Sequence, residues 1–303
     1  MKQNLYQEKK YDYAVIVDDE EEEQMNNVVT EKLSKKVRQT SIPLFLKRSF
    51  YEEENIMEIG VDESGRGPLF GRVYTAAVVL PKNGDLFDHT LMKDSKKFHS
   101  KKKIQEVANY IKKNAIMWSV TYEDEKSIDQ INILQATQKS MHQSIHNILF
   151  ENIPNYKIQM LSKCGVFPTS VCLLIDGNYF NHYSFYDKEN KKINTIDHIC
   201  IEGGDNKYSA IAAASILAKV ERDQYIEDLC EKYPELIEKY GIDSNKGYGA
   251  KIHLEGIAKY GITEWHRKTF GICKTFDTCK TFDTCKTLTH KKPLPHKKLL
   301  THL

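Results

Sequence analysis

Two adjacent acids, Asp62 and Glu63, close the apolar run Ile59-Gly60-Val61 and stand just before Gly65-Arg66-Gly67-Pro68. In a strand, neighbouring side chains point to opposite faces, so both carboxylates reach one centre only where regular pairing stops. A glycine turn supplies such a break and lets a ligand come close to the backbone. Alone, the doublet equally suits a capping Asp followed by a surface Glu. A third acid, Asp176, follows the apolar run Cys172-Leu173-Leu174-Ile175 and precedes Gly177-Asn178. Ligands of open α/β sheets gather at the carboxyl ends of strands, where this acid is expected. A fourth, Asp205, lies in Glu202-Gly203-Gly204-Asp205-Asn206-Lys207, ahead of a long helix. An acid there also simply favours the positive end of that helix. Four carboxylates at the ends of buried elements repel one another unless counter-charge is supplied. Hard oxygen donors suit Mg²⁺ or Mn²⁺, and two such ions would clamp both the attacking and the leaving oxygens of a phosphodiester.

The elements that must position these acids follow from hydrophobic periodicity. Ile59 to Val61 and Val73 to Leu80 read as buried strands split by the glycine turn, Ile116 to Tyr122 as a further strand, and Val171 to Ile175 as a short apolar one. Ile196 to Ile201 is expected at a sheet edge. Helices are expected over Lys101 to Lys113, over Ser127 to Phe150 with Ile128, Ile131, Leu134, Met141, Ile145 and Leu149 on one face, and over Ser209 to Tyr233 with alanine-rich packing at Ala210 to Ala214. Strands alternating with helices indicate an α/β layer fold with a mixed sheet.

The 303 residues are 40% hydrophobic and 28% charged, which excludes a wholly disordered protein. No stretch approaches the roughly 18 uncharged apolar residues of a membrane-spanning helix, and the first residues lack the apolar core of a secretory signal. Cys164, Cys172, Cys200 and Cys230 sit singly in apolar surroundings and read as reduced core residues, which places the protein in the cytoplasm. Residues 1–50 hold nine basic and nine acidic residues, including the run Asp18 to Glu23, and read as a poorly ordered charged arm. A solvated tail, a mimic of a phosphate backbone and a docking arm all fit it. The body is expected over residues 51–271. Residues 272–303 read as a basic low-complexity tail, with KTFDTC at Lys274 to Cys279 repeated at once as Lys280 to Cys285. Cys273, Cys279 and Cys285, continued by His290, His296 and His302, are each six apart, whereas zinc modules favour pairs two to four residues apart. Low-complexity expansion is therefore preferred to a zinc site. From His266 onward nine Lys or Arg face only Asp277 and Asp283, which suggests an anionic partner.

Several blocks together resemble a known family. Ile59 to Pro68 (IGVDESGRGP), Asp94 to Lys97 (DSKK), Ile128 to Leu134 (IDQINIL) and Leu174 to Asn178 (LIDGN) come first. Ala213 to Val220 (AASILAKV) with Arg222-Asp223, then Lys246-Gly247-Tyr248, and His266 to Gly271 (HRKTFG) follow. In type and order they resemble type 2 ribonucleases H (ribonuclease HII), over about residues 57–271. The resemblance implies a ribonuclease H-like fold, a mixed central sheet flanked by helices with a helical C-terminal part. It implies an endonuclease that hydrolyses the RNA strand of RNA–DNA hybrids and nicks at ribonucleotides embedded in duplex DNA, leaving 3′-hydroxyl and 5′-phosphate ends. Asp62, Glu63, Asp176 and Asp205 align with the four acids that hold two Mg²⁺ or Mn²⁺ ions. The segment Asn181 to Ile201 is longer than usual for the family, and the distance from Asp205 to Ala213-Ala214-Ser215 fits it.

The resemblance also assigns Gly65-Arg66-Gly67 to reading the ribose 2′-hydroxyl, and Tyr248 to packing on the next deoxyribose. These roles agree with physics: the 2′-hydroxyl separates RNA from DNA, a glycine turn can approach it, and a ring stacked on a sugar disfavours an extra hydroxyl there. Lys96, Lys97 and Lys219 are candidate phosphate contacts, with ordinary solvated lysines as the alternative. His142, His146 and His182 have no matching role and read as structural. The partners implied are RNA–DNA hybrid and ribonucleotide-containing duplex DNA, with no membrane and no obligate protein partner, the chain acting as a monomer. The type 3 branch usually carries an extra N-terminal domain, and the arm before Glu58 is too short and charged for it. Lys246-Gly247-Tyr248 and His266-Arg267 look like the single-chain bacterial pattern rather than a subunit needing two accessory proteins. A catalytically silent hybrid-binding module is the rival from another class, and the presence of all four acids speaks against it. No Gln-x-x-aliphatic-x-x-aromatic clamp motif lies near either end.

Overall fold

The computed structural model describes residues 45–53, 55–151, 170–188 and 191–277. A five-stranded mixed sheet forms its centre. β1 (Ile56–Ser64) pairs antiparallel with β2 (Val73–Val79), which pairs antiparallel with β3 (Met117–Glu123). On its other side β1 runs parallel to β4 (Ser170–Asp176), and β4 runs parallel to β7 (Asp197–Ile201) at the edge. The mixed sheet and its flanking helices agree with the expectation, including the edge placement of residues 196–201.

Alternation along the strands divides the core into two faces. Ile59, Val61, Ala77, Val79, Leu173 and Ile175 face α2 (Glu125–His146) through Met141 and Ile145. Tyr74, Ala76 and Val78 face α1 (Lys101–Asn114) and the long helix α3 (Ser209–Lys232). The small side chains Ala210, Ala212, Ala213 and Ala214 let α3 lie close on the sheet, and at one point even a methyl is too large. A Cβ on Gly60 would stand 2.2 Å from the carbonyl carbon of Ala210, so β1 and the start of α3 are in backbone contact. Beyond α3 come α4 (Glu235–Tyr240), α5 (Ile242–Asn245), α6 (Lys251–Tyr260) and, last, α7 (Lys274–Asp277). They gather round Phe70, Ile226, Leu236, Ile257 and Cys273 as a separate cluster.

Three features depart from the expectations. The helix expected over Ser127 to Phe150 is interrupted at Asn132 (φ 66°, ψ 164°), whose side chain accepts from Gln135 N at 3.1 Å and restarts it. The break turns Ile131 out to solvent. A small hairpin, β5 (Ser184–Asp187) with β6 (Lys192–Thr195), occupies the segment noted as long. The body also reaches beyond residues 51–271 at both ends. Lys47 N donates to Lys207 O at 2.8 Å and Lys47 O accepts from Ser209 N at 2.9 Å, because the first N–H groups of α3 need acceptors. Buried Glu58 accepts from Phe50 N and Tyr51 N and pairs with Lys82 at 3.2 Å, so residues 47–51 are strapped to the body. At the other end Cys273 is fully buried. The rest of the arm and tail, the second KTFDTC repeat and Cys164 lie outside the described residues. Cys172, Cys200, Cys230 and Cys273 are free thiols, with Cys200 only partly buried.

Candidate active site

Asp62 and Asp176 occupy the ends of parallel neighbours β1 and β4, on the face that packs against α3. The β1–β4 pairing stops at Val61↔Ile175, one residue before both acids. On the other side, the β1–β2 ladder continues through Glu63↔Thr75 to Ser64↔Tyr74, so the expected break in pairing is one-sided. Glu63 belongs to the opposite face by alternation, yet at the strand end its carboxyl is still close enough to Asp176 and Lys96 to be perturbed by both. Asp205 sits in a 3-10 turn, Gly204–Asn206, that leads into α3.

Burial and mutual repulsion dominate the electrostatics. Asp62 is 4% exposed, and its titration is pushed well above the usual carboxylate range, by burial first and then by Glu63 and Asp176. Bonds from Ser215 and the Glu63 N–H work against that rise. Glu63 is raised by burial, opposed by Arg66, whose Nη1 lies 3.2 Å from its Oε1. Asp205 is raised by burial and then by Asp176 and Asp94. Asp176 is oriented by Gly204 N, which donates to its Oδ1 at 2.6 Å. Lys96 stands among these groups, and against the effect of burial Asp94, Asp205, Asp62 and Asp176 hold its ammonium charged.

Beside the acids lies the Gly65–Gly67 turn. Gly65 has φ +93°, and a Cβ there would meet Arg222 Nε at 2.2 Å, so only glycine fits. Arg66 and Gly67 are exposed, and a Cβ on Gly67 would stand 3.5 Å from the ring of Tyr248. Tyr248 is 50% exposed, so the turn and one face of an aromatic ring form a continuous surface next to the carboxylates. Leu69 N donates to Gly247 O at 2.9 Å, locking the two loops together.

A sequence model of the family described as Ribonuclease HII matches residues 59–273. The chain belongs to the ribonuclease HII family. Ribonuclease HII of Bacteroides thetaiotaomicron is 39% identical over 222 residues, 73% of this chain and 93% of the relative. That of Parabacteroides distasonis is 39% identical over 220 residues, 73% of this chain and 92% of the relative. The crystal structure of ribonuclease H2 from Pyrococcus horikoshii OT3 shares the fold, with a TM-score of 0.52 at 22% identity over 73% of this chain and 97% of that one.

Among the described residues no three His, Cys, Asp or Glu side chains converge as the ligands of one ion. The donors are nonetheless all carboxylate oxygens, and raised titrations at Asp62, Glu63 and Asp205 mark a cluster short of positive charge. That donor set fits hard divalent cations whose remaining ligands come from elsewhere, such as phosphate oxygens.

The other candidates separate. Lys96 and Lys97 are exposed on the loop beside the acids, with Lys97 bonded to Asn206. Lys219 is paired with Asp223 one turn along α3. His142 bonds Asn181 O and His146 bonds the Tyr183 hydroxyl, both at 2.9 Å, while His182 stacks edge-on against His198.

Three groups around the site were missed from sequence. Asn206 donates to both Asp205 and Asp94. Arg267 holds the main chain of the glycine turn. A buried pair, His253 and His266, meets Nε2 to Nε2 at 3.1 Å. Thr263 N donates to His266 Nδ1, so the His266 proton sits on Nε2 and is donated to His253, whose Nδ1–H bonds Tyr248 O at 2.9 Å. Position in a family block was the only signal for Arg267 and His266, and His253 carried none.

Proposed function

We propose that this chain is an endonuclease that hydrolyses the RNA strand of RNA–DNA hybrids and nicks duplex DNA at embedded ribonucleotides. The observation that carries the reading is a juxtaposition: acids at the ends of β1 and β4 lie beside a glycine turn covered on one side by a half-exposed tyrosine. Family membership supports it, since the relatives bear the name Ribonuclease HII.

Asp62, Glu63, Asp176 and Asp205 would hold two Mg²⁺ or Mn²⁺ ions. When bound, such ions polarise the phosphodiester, lower the pKa of an attacking water and stabilise the leaving oxygen, which yields 3′-hydroxyl and 5′-phosphate ends. The chain's own residues do the rest. Lys96 faces the scissile phosphate from the acid side, and Lys97 extends the basic edge of that loop. Gly65 to Gly67 bring main-chain atoms against the ribose, where the 2′-hydroxyl distinguishes RNA from DNA. Tyr248 packs on the following sugar and excludes a hydroxyl there, which favours an RNA-to-DNA junction.

The test assays the purified chain with Mg²⁺ or Mn²⁺ on three duplexes: all-DNA, one embedded ribonucleotide, and a long hybrid. Cleavage of the last two and not the first is expected. Tyr248→Ala should lose about ten- to a hundred-fold on the single-ribonucleotide duplex, the worth of one aromatic platform, and less on the long hybrid with its many equivalent sites. Equal losses on both would remove the junction reading.

A further inference from the structure

Arg267 is 0% exposed, and its guanidinium bonds one short stretch of main chain. Nη2 donates to Gly65 O at 2.6 Å, Nη1 to Arg66 O and Pro68 O at 2.9 Å each, and Nε to Gly71 O at 2.8 Å. Its own N–H donates to Leu69 O at 2.8 Å. Four carbonyls between residues 65 and 71 are thus turned toward one side chain, and a fifth toward the main chain of the same residue. From another direction Arg222, 1% exposed, presses on Gly65 and donates to Lys246 O at 2.8 Å. The N–H groups of Arg66 and Gly67 donate to no partner among the described residues.

A peptide plane whose carbonyl is fixed has its N–H fixed as well. A planar guanidinium with five donors can hold several carbonyls in one arrangement, which a lysine ammonium cannot reproduce. We infer that Arg267 is a positioning residue for ribose discrimination, pinning the carbonyls of the turn so that the N–H groups of Arg66 and Gly67 are left for the oxygen of a ribose 2′-hydroxyl. This rests on the proposed reading of the turn. A residue that only fills the core would lower stability and weaken all duplexes alike. A residue that sets the turn changes the ratio between duplexes with and without the hydroxyl.

The experiment measures binding of the full chain in EDTA, where no cleavage occurs, to two duplexes that differ by one ribonucleotide. Wild type is expected to prefer the ribonucleotide duplex, and Arg267→Lys to lose roughly tenfold or more of that preference while its affinity for all-DNA duplex stays within about twofold. A folded Arg267→Lys with an unchanged ratio overturns the inference, and so does one that fails to melt cooperatively, because Arg267 is then scaffold. A second measurement needs only wild type: the amides of residues 65–67 should gain more hydrogen-exchange protection from the ribonucleotide duplex than from the all-DNA duplex. Equal protection also overturns it. Wild type that shows no preference at all overturns the reading of the turn itself, a separate result.

Discussion

The side-chain amide of Asn206 donates to Asp205 Oδ1 at 3.0 Å. The same nitrogen lies 3.2 Å from Asp94 Oδ2, so one residue ties an acid of the site to the loop that carries Lys96. Asn206→Ala removes a bond that opposes the upward push on Asp205 and takes away the donor that Asp205 and Asp94 share. A hydrogen bond to a charged group is worth about 1.5–3 kcal/mol. The Mg²⁺ concentration for half-maximal cleavage should therefore rise roughly tenfold, with the rate at saturating Mg²⁺ less affected. A metal titration checks this, and an unchanged midpoint contradicts it.

Asp62→Asn should abolish cleavage and at the same time stabilise the metal-free protein at neutral pH. Asp62 has its titration raised in the folded state. Above the ordinary carboxylate range the unfolded chain has already lost that proton, and folding must bury a charge it disfavours. The cost is absent below that range and grows as pH rises through it. Thermal melts in EDTA at pH 7 should show a higher Tm for Asp62→Asn than for wild type, and a smaller difference at pH 4. Turnover near the wild-type rate would remove Asp62 from the metal site.

The buried histidine pair should make the protein sensitive to mild acid. His266 is pulled down to about 3 by burial and then by His253, whereas a free histidine titrates near 6.5. The pair thus contributes stability above pH 6.5 that is lost as pH falls, amounting for His266 to about 2 kcal/mol by pH 5. Urea melts at pH 7 and pH 5 measure the loss. His266→Gln, which cannot titrate, should show a flatter difference between the two.

Deleting residues 278–303, rather than everything after residue 271, should weaken duplex binding and flatten its salt dependence without moving the cut position. The boundary matters because Cys273 is in the core. Of the basic residues from His266 onward, most lie beyond Asp277, and bases that meet only phosphates add affinity without reading a ribose. A salt series with and without the segment tests this, and identical slopes would make the segment a passenger.

The parts of the fold that were legible in the sequence are those with uninterrupted periodicity. Ile59 to Val61 and Cys172 to Ile175 are apolar on both faces because β1 and β4 lie inside the sheet, and the acids that end them are marked by that contrast. The alanines of α3 announced a close helix–sheet contact. Asn132 was not legible, since a single residue at positive φ leaves the surrounding helical pattern intact. The β5–β6 hairpin was missed because its four-residue strands are too short and polar to show alternation. Arg267 and Asn206 escaped for a different reason. What they hold is main chain 202 residues away or a carboxylate next door, and neither kind of partner leaves a mark on composition or spacing.

The backbone contact between Gly60 and Ala210 carries a consequence for the order in which the protein comes into being. Asp62 and Glu63 leave the ribosome early, but the strand that bears Asp176 and the helix behind Asp205 are made more than a hundred residues later. Contacts of such sequence separation close slowly, and only once both partners exist. A half-synthesised chain therefore carries two acids and nothing to set opposite them. The centre that would cut RNA comes together only when α3 settles on β1, after most of the chain has been translated.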